Sequence, residues 1–223
     1  MDQLLLKGPT DYQSGFWLSY KYNGQLCRAS STETKCFSNV KTVADEKKLV
    51  ITLEHTPPDS VEKIMGFRVE LWSYESPMLL IKHTSTNLSK APIEDLKLFN
   101  LMDFDLGGAT SYKDDTGAFD PEEGIMRVCD GTPLCVAMAS RPSPNGWEIS
   151  APTKLRLTDE ERDLKKNLEA GPKDIASGLQ WNLGNLEAGA SRSVCIAMTV
   201  GQTVEEVNEL LPRAWQRFDE KMQ

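Results

Sequence analysis

The chain has 223 residues, of which 26% are charged and 39% apolar, and its formal net charge is −8. That length can bury a substantial core, and the composition is that of a folded chain rather than a disordered one. An acidic excess with no basic cluster to offset it argues against nucleic-acid phosphates and anionic membrane surfaces as partners. No stretch approaches the roughly 20 apolar residues that a membrane helix needs.

The opening Leu4-Leu5-Leu6 is too short for a signal-peptide core and is followed by Lys7. The expectation is therefore a soluble, cytoplasmic protein, with a fragment of a secreted one as the alternative. Phe16, Leu18, Tyr20 and Tyr22 alternate with Trp17, Ser19 and Lys21, and Asn23-Gly24 separates them from a second extended run at Gln25 to Arg28. Both turn residues tolerate positive φ, so this is a hairpin signal. A polar connection at Ser30 to Glu33 leads to a further strand or two over Lys35 to Val43.

Leu49, Ile51 and Leu53 alternate with Val50, Thr52 and Glu54, and the run closes at His55. The Thr56-Pro57-Pro58-Asp59-Ser60 linker breaks it, because proline removes donors and fixes φ. Met65, Phe67, Val69 and Leu71 form an apolar face opposite Arg68, Glu70 and Trp72, and Met78 to Thr86 runs back after the Ser76-Pro77 turn. A short link, Asn87 to Pro92, precedes the longest period-two stretch, Ile93 to Gly108. There Leu96, Leu98, Met102, Phe104 and Leu106 share one face, interrupted by Asn100. Asp95, Lys97, Phe99, Leu101, Asp103 and Asp105 share the other. Leu49 to Leu106 thus reads as an antiparallel meander of four long strands.

Thr110 to Gly124 is an acidic loop with Asp114, Asp115, Asp120, Glu122 and Glu123. Its carboxylates are the hard ligands calcium prefers, but its spacing does not fit the twelve-residue calcium loop, and a solvated turn is expected. Ile125 to Cys129 and Leu134 to Ala139 flank an Asp130-Gly131-Thr132-Pro133 hairpin, the second run being apolar on both faces. Arg141 to Pro152 reads as a long surface loop, and Thr158 to Glu169 as a charged helical turn or two. Ile175 to Leu183 and a closing strand around Ser193 to Val200 end in a helix over about 203–219. Its apolar residues are Val204, Val207, Leu211, Ala214, Trp215 and Phe218. Thr203 and Glu206 have capping-box spacing, and Pro212 should kink the helix or end its first part.

The five cysteines, Cys27, Cys36, Cys129, Cys135 and Cys195, include no C-x-x-C pair, which argues against cysteine-ligated zinc. They read as buried reduced thiols. A Cys27–Cys36 or Cys129–Cys135 bridge is the alternative in an oxidising compartment. Asn87-Leu88-Ser89 is formally a glycosylation sequon.

The pattern Leu179-Gln180-Trp181-Asn182-Leu183-Gly184-Asn185-Leu186-Glu187-Ala188-Gly189 resembles the closing hairpin of many β-sandwich modules. With the long strands upstream, it is similar to the large supersandwich of galactose-mutarotase-like and glucoamylase N-terminal domains. The resemblance implies a carbohydrate-associated fold. Enzymes of mutarotase type are expected to pair a catalytic histidine with a glutamate. Here only His55 and His83 are available, neither falls in a family motif, and no catalytic residue is carried over.

The reading is a mainly β, single-domain protein over 1–223: a large antiparallel, supersandwich-like β-sandwich closed by a C-terminal amphipathic helix. Its expected function is that of a non-catalytic binding or interaction module for carbohydrate or another polar ligand on a concave sheet face. Trp72, His83, Asp103 and Asp105 are the candidate ligand-binding residues. The alternative is a carbohydrate-active enzyme using His83 and the strand carboxylates. Asp103 and Asp105 would stand about 6.5–7 Å apart on one strand, a separation inverting glycosidases also use. A packing or assembly subunit is the third reading. No cofactor is expected, and a protein partner or homo-oligomer is compatible with each.

Overall fold

The computed structural model describes residues 14–30, 37–58, 60–74, 76–108, 111–155 and 163–222. Leu4 to Leu6, Cys36 and the first part of the expected helix, residues 158–162, lie outside them. The strands are β1 (Gly15–Tyr22), β2 (Gln25–Ser30), β3 (Phe37–Ala44), β4 (Lys48–His55), β5 (Met65–Tyr74), β6 (Ser76–Asn87) and β7 (Ile93–Asp103). They continue with β8 (Thr116–Asp120), β9 (Ile125–Cys129), β10 (Cys135–Arg141), β11 (Gly146–Ser150), β12 (Glu169–Ala170), β13 (Ala176–Leu186) and β14 (Ser191–Gly201). The helix α1 (Val204–Met222) closes the chain.

Two antiparallel sheets form a sandwich, one ordered β11-β13-β7-β1-β2 and the other β12-β8-β9-β10-β14-β6-β5-β4-β3. Alternation decides what each strand buries. Phe16, Leu18, Leu96, Leu98, Met102, Leu179 and Trp181 of the five-stranded sheet meet Phe67, Val69, Ile81, Met126, Val136, Val194 and Ile196 of the nine-stranded one. The expected first hairpin forms as read: Asn23 and Gly24 take φ of 50° and 77° between β1 and β2, the left-handed values of a tight hairpin turn.

The four-strand meander is corrected. β4, β5 and β6 pair in sequence, but β7 leaves for the other sheet, where it lies between β1 and β13. Likewise β13 and β14 are not a closing hairpin, since β14 sits between β10 and β6 in the nine-stranded sheet. Both crossings meet at Asn87, whose buried side chain donates to the carbonyls of Ala91 and Leu186 at 2.8 Å each. Its Oδ1 accepts from the amide and hydroxyl of Ser89. The sequon asparagine is therefore a fully buried structural residue.

Two further strands lie where loops were expected. β8 occupies the acidic segment, with Gly117 and Phe119 buried between outward Thr116 and Ala118, and β11 occupies the proline-rich one. Both are short and flanked by turn residues, which hid their alternation. Residues 163–168 are not helical; Asn167 and Lys166 instead bond the edge of β11. Cys129 and Cys135, directly opposite in the β9–β10 pair, form a disulfide, while Cys27 and Cys195 are free thiols. This replaces the all-reduced expectation.

The double-sided apolar character of β10 has a simple cause: one face meets the core and the other lies under α1. There Ala137, Ala139, Ala197, Leu80 and Trp72 pack against Val207, Leu211, Ala214 and Phe218. Thr203 caps the helix through the Glu206 amide at 3.2 Å, and Glu206 reaches back to the Gln202 amide at 2.6 Å. The helix continues through Pro212 instead of ending there. The ring is exposed, so the helix forgoes only the bond to the Asn208 carbonyl and keeps its buried stripe intact. No described helix is long and apolar enough to cross a membrane.

Candidate functional site

The four candidate residues fall in different layers. Trp72 points outward from the nine-stranded sheet and is sealed beneath α1, edge-on to Phe218 at 5.8 Å. His83 points inward, stacked on Phe67 at 5.5 Å, with Nε2 3.3 Å from the Asn100 Oδ1. Asp103 is on the outer face of the five-stranded sheet, fully buried at the end of β7. Asp105 lies past that end, in the following loop. The structure brings none of these side chains into one site, and β7 stops before it could hold both aspartates as a strand pair.

Both histidines are committed to the interior. His55 Nδ1 is 2.7 Å from the Tyr20 hydroxyl, and burial pushes its pKa down to about 4. Burial does the same to His83, to about 4, against an opposing hydrogen bond with Asn100. Each ring is neutral at physiological pH and shut away from solvent.

A different constellation does converge, on the outer face of the five-stranded sheet. Strand pairing sets Gln180 opposite Phe99 and Phe99 opposite Trp17; one step along, Asn182 is opposite Lys97 and Lys97 opposite Ser19. Residues directly opposite share a face. Gln180 Nε2 donates to Asp163 Oδ1 at 2.6 Å and to Asn182 Oδ1 at 2.8 Å, while Gln180 Oε1 accepts the Leu164 amide. Lys97 Nζ donates to the same Asp163 oxygen at 3.0 Å. The Gln180 and Lys97 contacts hold Asp163 below its ordinary carboxylate range. Asn145 Oδ1 accepts the Asn182 amide at 2.7 Å, bringing a further amide group to the rim.

Beside this polar row the face is apolar. Phe99, Leu101 and Ala176 are covered by Leu155 and Leu164, with Trp17 packed alongside. Gly178 makes that cover fit, since a Cβ there would stand 2.6 Å from Leu101 Cδ2 and 3.3 Å from Leu164. Glu148, wholly buried at the same edge, accepts from Ser150 Oγ and pairs with Lys165 at 3.2 Å. The row thus presents the Asn182 and Asn145 amides, an ammonium and a carboxylate beside an indole, with Gln180 buried beneath them and its amide committed to Asp163, Asn182 and Leu164. Such a set gives and receives hydrogen bonds with neutral hydroxyl groups. Both histidines lie inside the sandwich, so none serves this face. Among the described residues no three acidic, histidine or cysteine side chains are arranged to hold a metal ion.

In the sequence, Gln180 and Asn182 alternate with Leu179, Trp181 and Leu183, the signal that sets them on one face, but they stand inside a turn pattern that masks it. Asp163 carried no such signal, because it is brought in by an irregular segment.

No family model matches the chain, and no curated protein matches it. Solved structures do. A bacterial glucoamylase complexed with acarbose superposes with a TM-score of 0.63 at 16% identity, over 89% of this chain and 28% of that one. An Escherichia coli K12 protein provisionally assigned as an aldose 1-epimerase gives 0.55 at 10% identity, over 89% of each chain. An aldose epimerase homologue from C. elegans gives 0.51 at 10% identity, over 83% of this chain and 78% of that one. The chain therefore has the galactose-mutarotase-like supersandwich fold, one found in carbohydrate-active proteins. It spans little more than a quarter of the glucoamylase.

Proposed function

We propose that this chain is a non-catalytic binding or interaction module. It takes a carbohydrate or another hydroxyl-rich ligand on the outer face of the five-stranded sheet, along Trp17, Lys97, Asp163, Gln180 and Asn182, with Asp103 bordering that face. One observation carries the reading: the row of amides and the ion pair occupies a sheet face, while His55 and His83 are buried, neutral and bonded within the core. A sugar hydroxyl both donates and accepts, as do the exposed amides of Asn182 and Asn145. Support for a module also comes from the glucoamylase, of which this chain resembles only a part.

The test is titration of the intact chain with a panel of monosaccharides and oligosaccharides, acarbose included, followed by amide and indole NMR signals. Saturable shifts at the exposed Asn182 side chain and the Trp17 indole are expected, with affinity reduced about tenfold or more in Asn182→Ala. Shifts confined to other surfaces would overturn the placement. A blank glycan array at high protein concentration would favour an assembly subunit.

The second reading is an enzyme of epimerase type, favoured by the aldose 1-epimerase likeness that covers 89% of both chains. Polarimetry decides it. Mutarotation by the wild-type chain that disappears in His83→Ala, with folding retained, would replace the non-catalytic reading.

A further inference from the structure

At the end of the sandwich where β7 stops, four carboxyls come from four segments: Asp105 after β7, Asp115 before β8, Asp130 in the β9–β10 turn and Asp174 before β13. Asp130 is well satisfied. Burial works against its charge, but Thr132, Ser111 Oγ at 2.7 Å and the Gly131 amide at 2.6 Å outweigh that and hold it ionised. Asp115 is the opposite case. Its side chain is fully buried, and neither oxygen makes a hydrogen bond. The Leu106 amide eases its charge without forming a well-aligned bond.

The loops around it are packed on one another. The Lys173 amide donates to the Asp115 carbonyl at 3.0 Å, and a Cβ at Gly171, whose φ is +111°, would lie 2.4 Å from that carbonyl. A Cβ at Gly107 would meet Asp130 Oδ2. An ionised Asp115 would thus sit in a tight, dry junction facing Asp130, Asp105 and Asp174, with no ion-pair partner among the described residues. Lys113 and Asp114 of the neighbouring 3-10 turn are exposed.

We propose that Asp115 is a proton-held latch, a neutral acid around which the β7–β8, β9–β10 and β12–β13 connections close, and that its ionisation loosens them. Burial first, and then the three neighbouring carboxyls, push its pKa up to about 8. The sign follows from linkage. The folded chain holds this proton more tightly than the unfolded one. The stabilisation is full below the ordinary carboxylate range and is lost as pH rises from there towards 8. The loosening reaches residues 171–175, which feed β13.

The experiment is a carbon-detected NMR titration of the aspartate carboxyls of the intact chain from pH 3 to 10. Alongside it, hydrogen exchange is followed at the Lys173 and Ser111 amides, bonded to the Asp115 and Gly108 carbonyls, and referenced to β6 and β14. One carboxyl should titrate near pH 8 and vanish in Asp115→Asn, and the loop amides should lose more than tenfold of their protection across that midpoint. Should Asp115→Asn fail to fold, Asp105→Asn must move the midpoint to lower pH. Titration of every aspartate below about pH 5, or a midpoint indifferent to Asp105→Asn, would sink the latch. Millimolar calcium that raises the melting temperature in the wild type but not in Asp105→Asn would overturn it too, by showing that a cation and not a proton neutralises the junction.

Discussion

The side-chain amide of Asn87 donates to the backbone carbonyl of Leu186 at 2.8 Å, tying the end of β6 to the end of β13 across 99 residues of sequence. After each of these strand ends the chain changes sheets, from β6 to β7 and from β13 to β14. Backbone bonds reinforce the tie: the Asn87 amide donates to the Ala190 carbonyl and the Gly189 amide to the Asn87 carbonyl, each at 3.0 Å. Asn87→Ala removes both side-chain donations and the acceptor of Ser89, stranding buried carbonyls. A net loss of about 2–4 kcal/mol follows at roughly 0.5–1.5 kcal/mol per bond plus the stranded groups. Urea unfolding measures it. Asn87→Asp should be no better, since a carboxylate cannot donate to Ala91 and Leu186.

Acid should weaken the fold in a window set by the histidines. Both have pKa values pushed down to about 4 by burial, so the unfolded chain takes up protons near pH 6.5 that the folded chain refuses. Their contribution is present above pH 6.5 and drains as pH falls from 6.5 to 4, at up to about 1.4 kcal/mol per pH unit for each ring. Asp115 works in the opposite sense throughout that range, so the measurement belongs in an Asp115→Asn background. There, His83→Leu combined with Asn100→Leu should roughly halve the slope of unfolding free energy against pH between 4.5 and 6.

Two-residue alternation carried most of the fold, because one side of nearly every strand must face the core. It placed His83 with Leu79 and Ile81, and Asp103 with Phe99 and Leu101, as the structure has them. Alternation says which side of a strand is buried but not which sheet the strand joins. A five-residue link such as 88–92 serves a hairpin or a crossing equally well, and only the bonds of Asn87 decide. Nor can a period of two distinguish a face open to ligand from one sealed by a helix. Trp72 stands opposite Val69 and Leu71 in sequence, yet it lies under Phe218. The polar row failed to emerge for a related reason. Half of it, Gln180 and Asn182, follows the strand period, while Asp163 arrives from an aperiodic segment.

The cover over the five-stranded sheet should depend on the missing side chain at Gly178. Alanine there brings a Cβ within 2.6 Å of Leu101 and 3.3 Å of Leu164. Overpacking of this kind costs about 1–3 kcal/mol when neighbours must shift. The least anchored neighbour is the irregular segment carrying Leu164, so Gly178→Ala should displace it and disturb the Leu164 amide bond to Gln180. Amide exchange at Leu164 faster by tenfold or more, with β6 and β14 unchanged, is the expected signature. Uniform loss of protection across both sheets would mean that Leu101 yields instead.

The Cys129–Cys135 bond closes a short loop and should contribute accordingly. Alkylation of the unfolded chain before and after reduction should differ by two thiols, with both new labels on the β9–β10 peptides. A loop this small restrains the unfolded chain by about 2 kcal/mol on the chain-entropy argument. Reduction should therefore lower stability by about that much without dismantling the sheet, because β10 remains paired to β14 along its length and Met126 and Val128 stay in the core. The local consequence concerns the turn. Asp130 follows Cys129 directly, and its bonds to Ser111 and Thr132 pack the β9–β10 turn against the loop after β7. Cys129→Ser with Cys135→Ser should thus raise exchange at the Gly131 and Ser111 amides more than at any strand amide. Equal protection there in oxidised and doubly substituted protein would show that the hydrogen bonds of Asp130 hold the turn unaided.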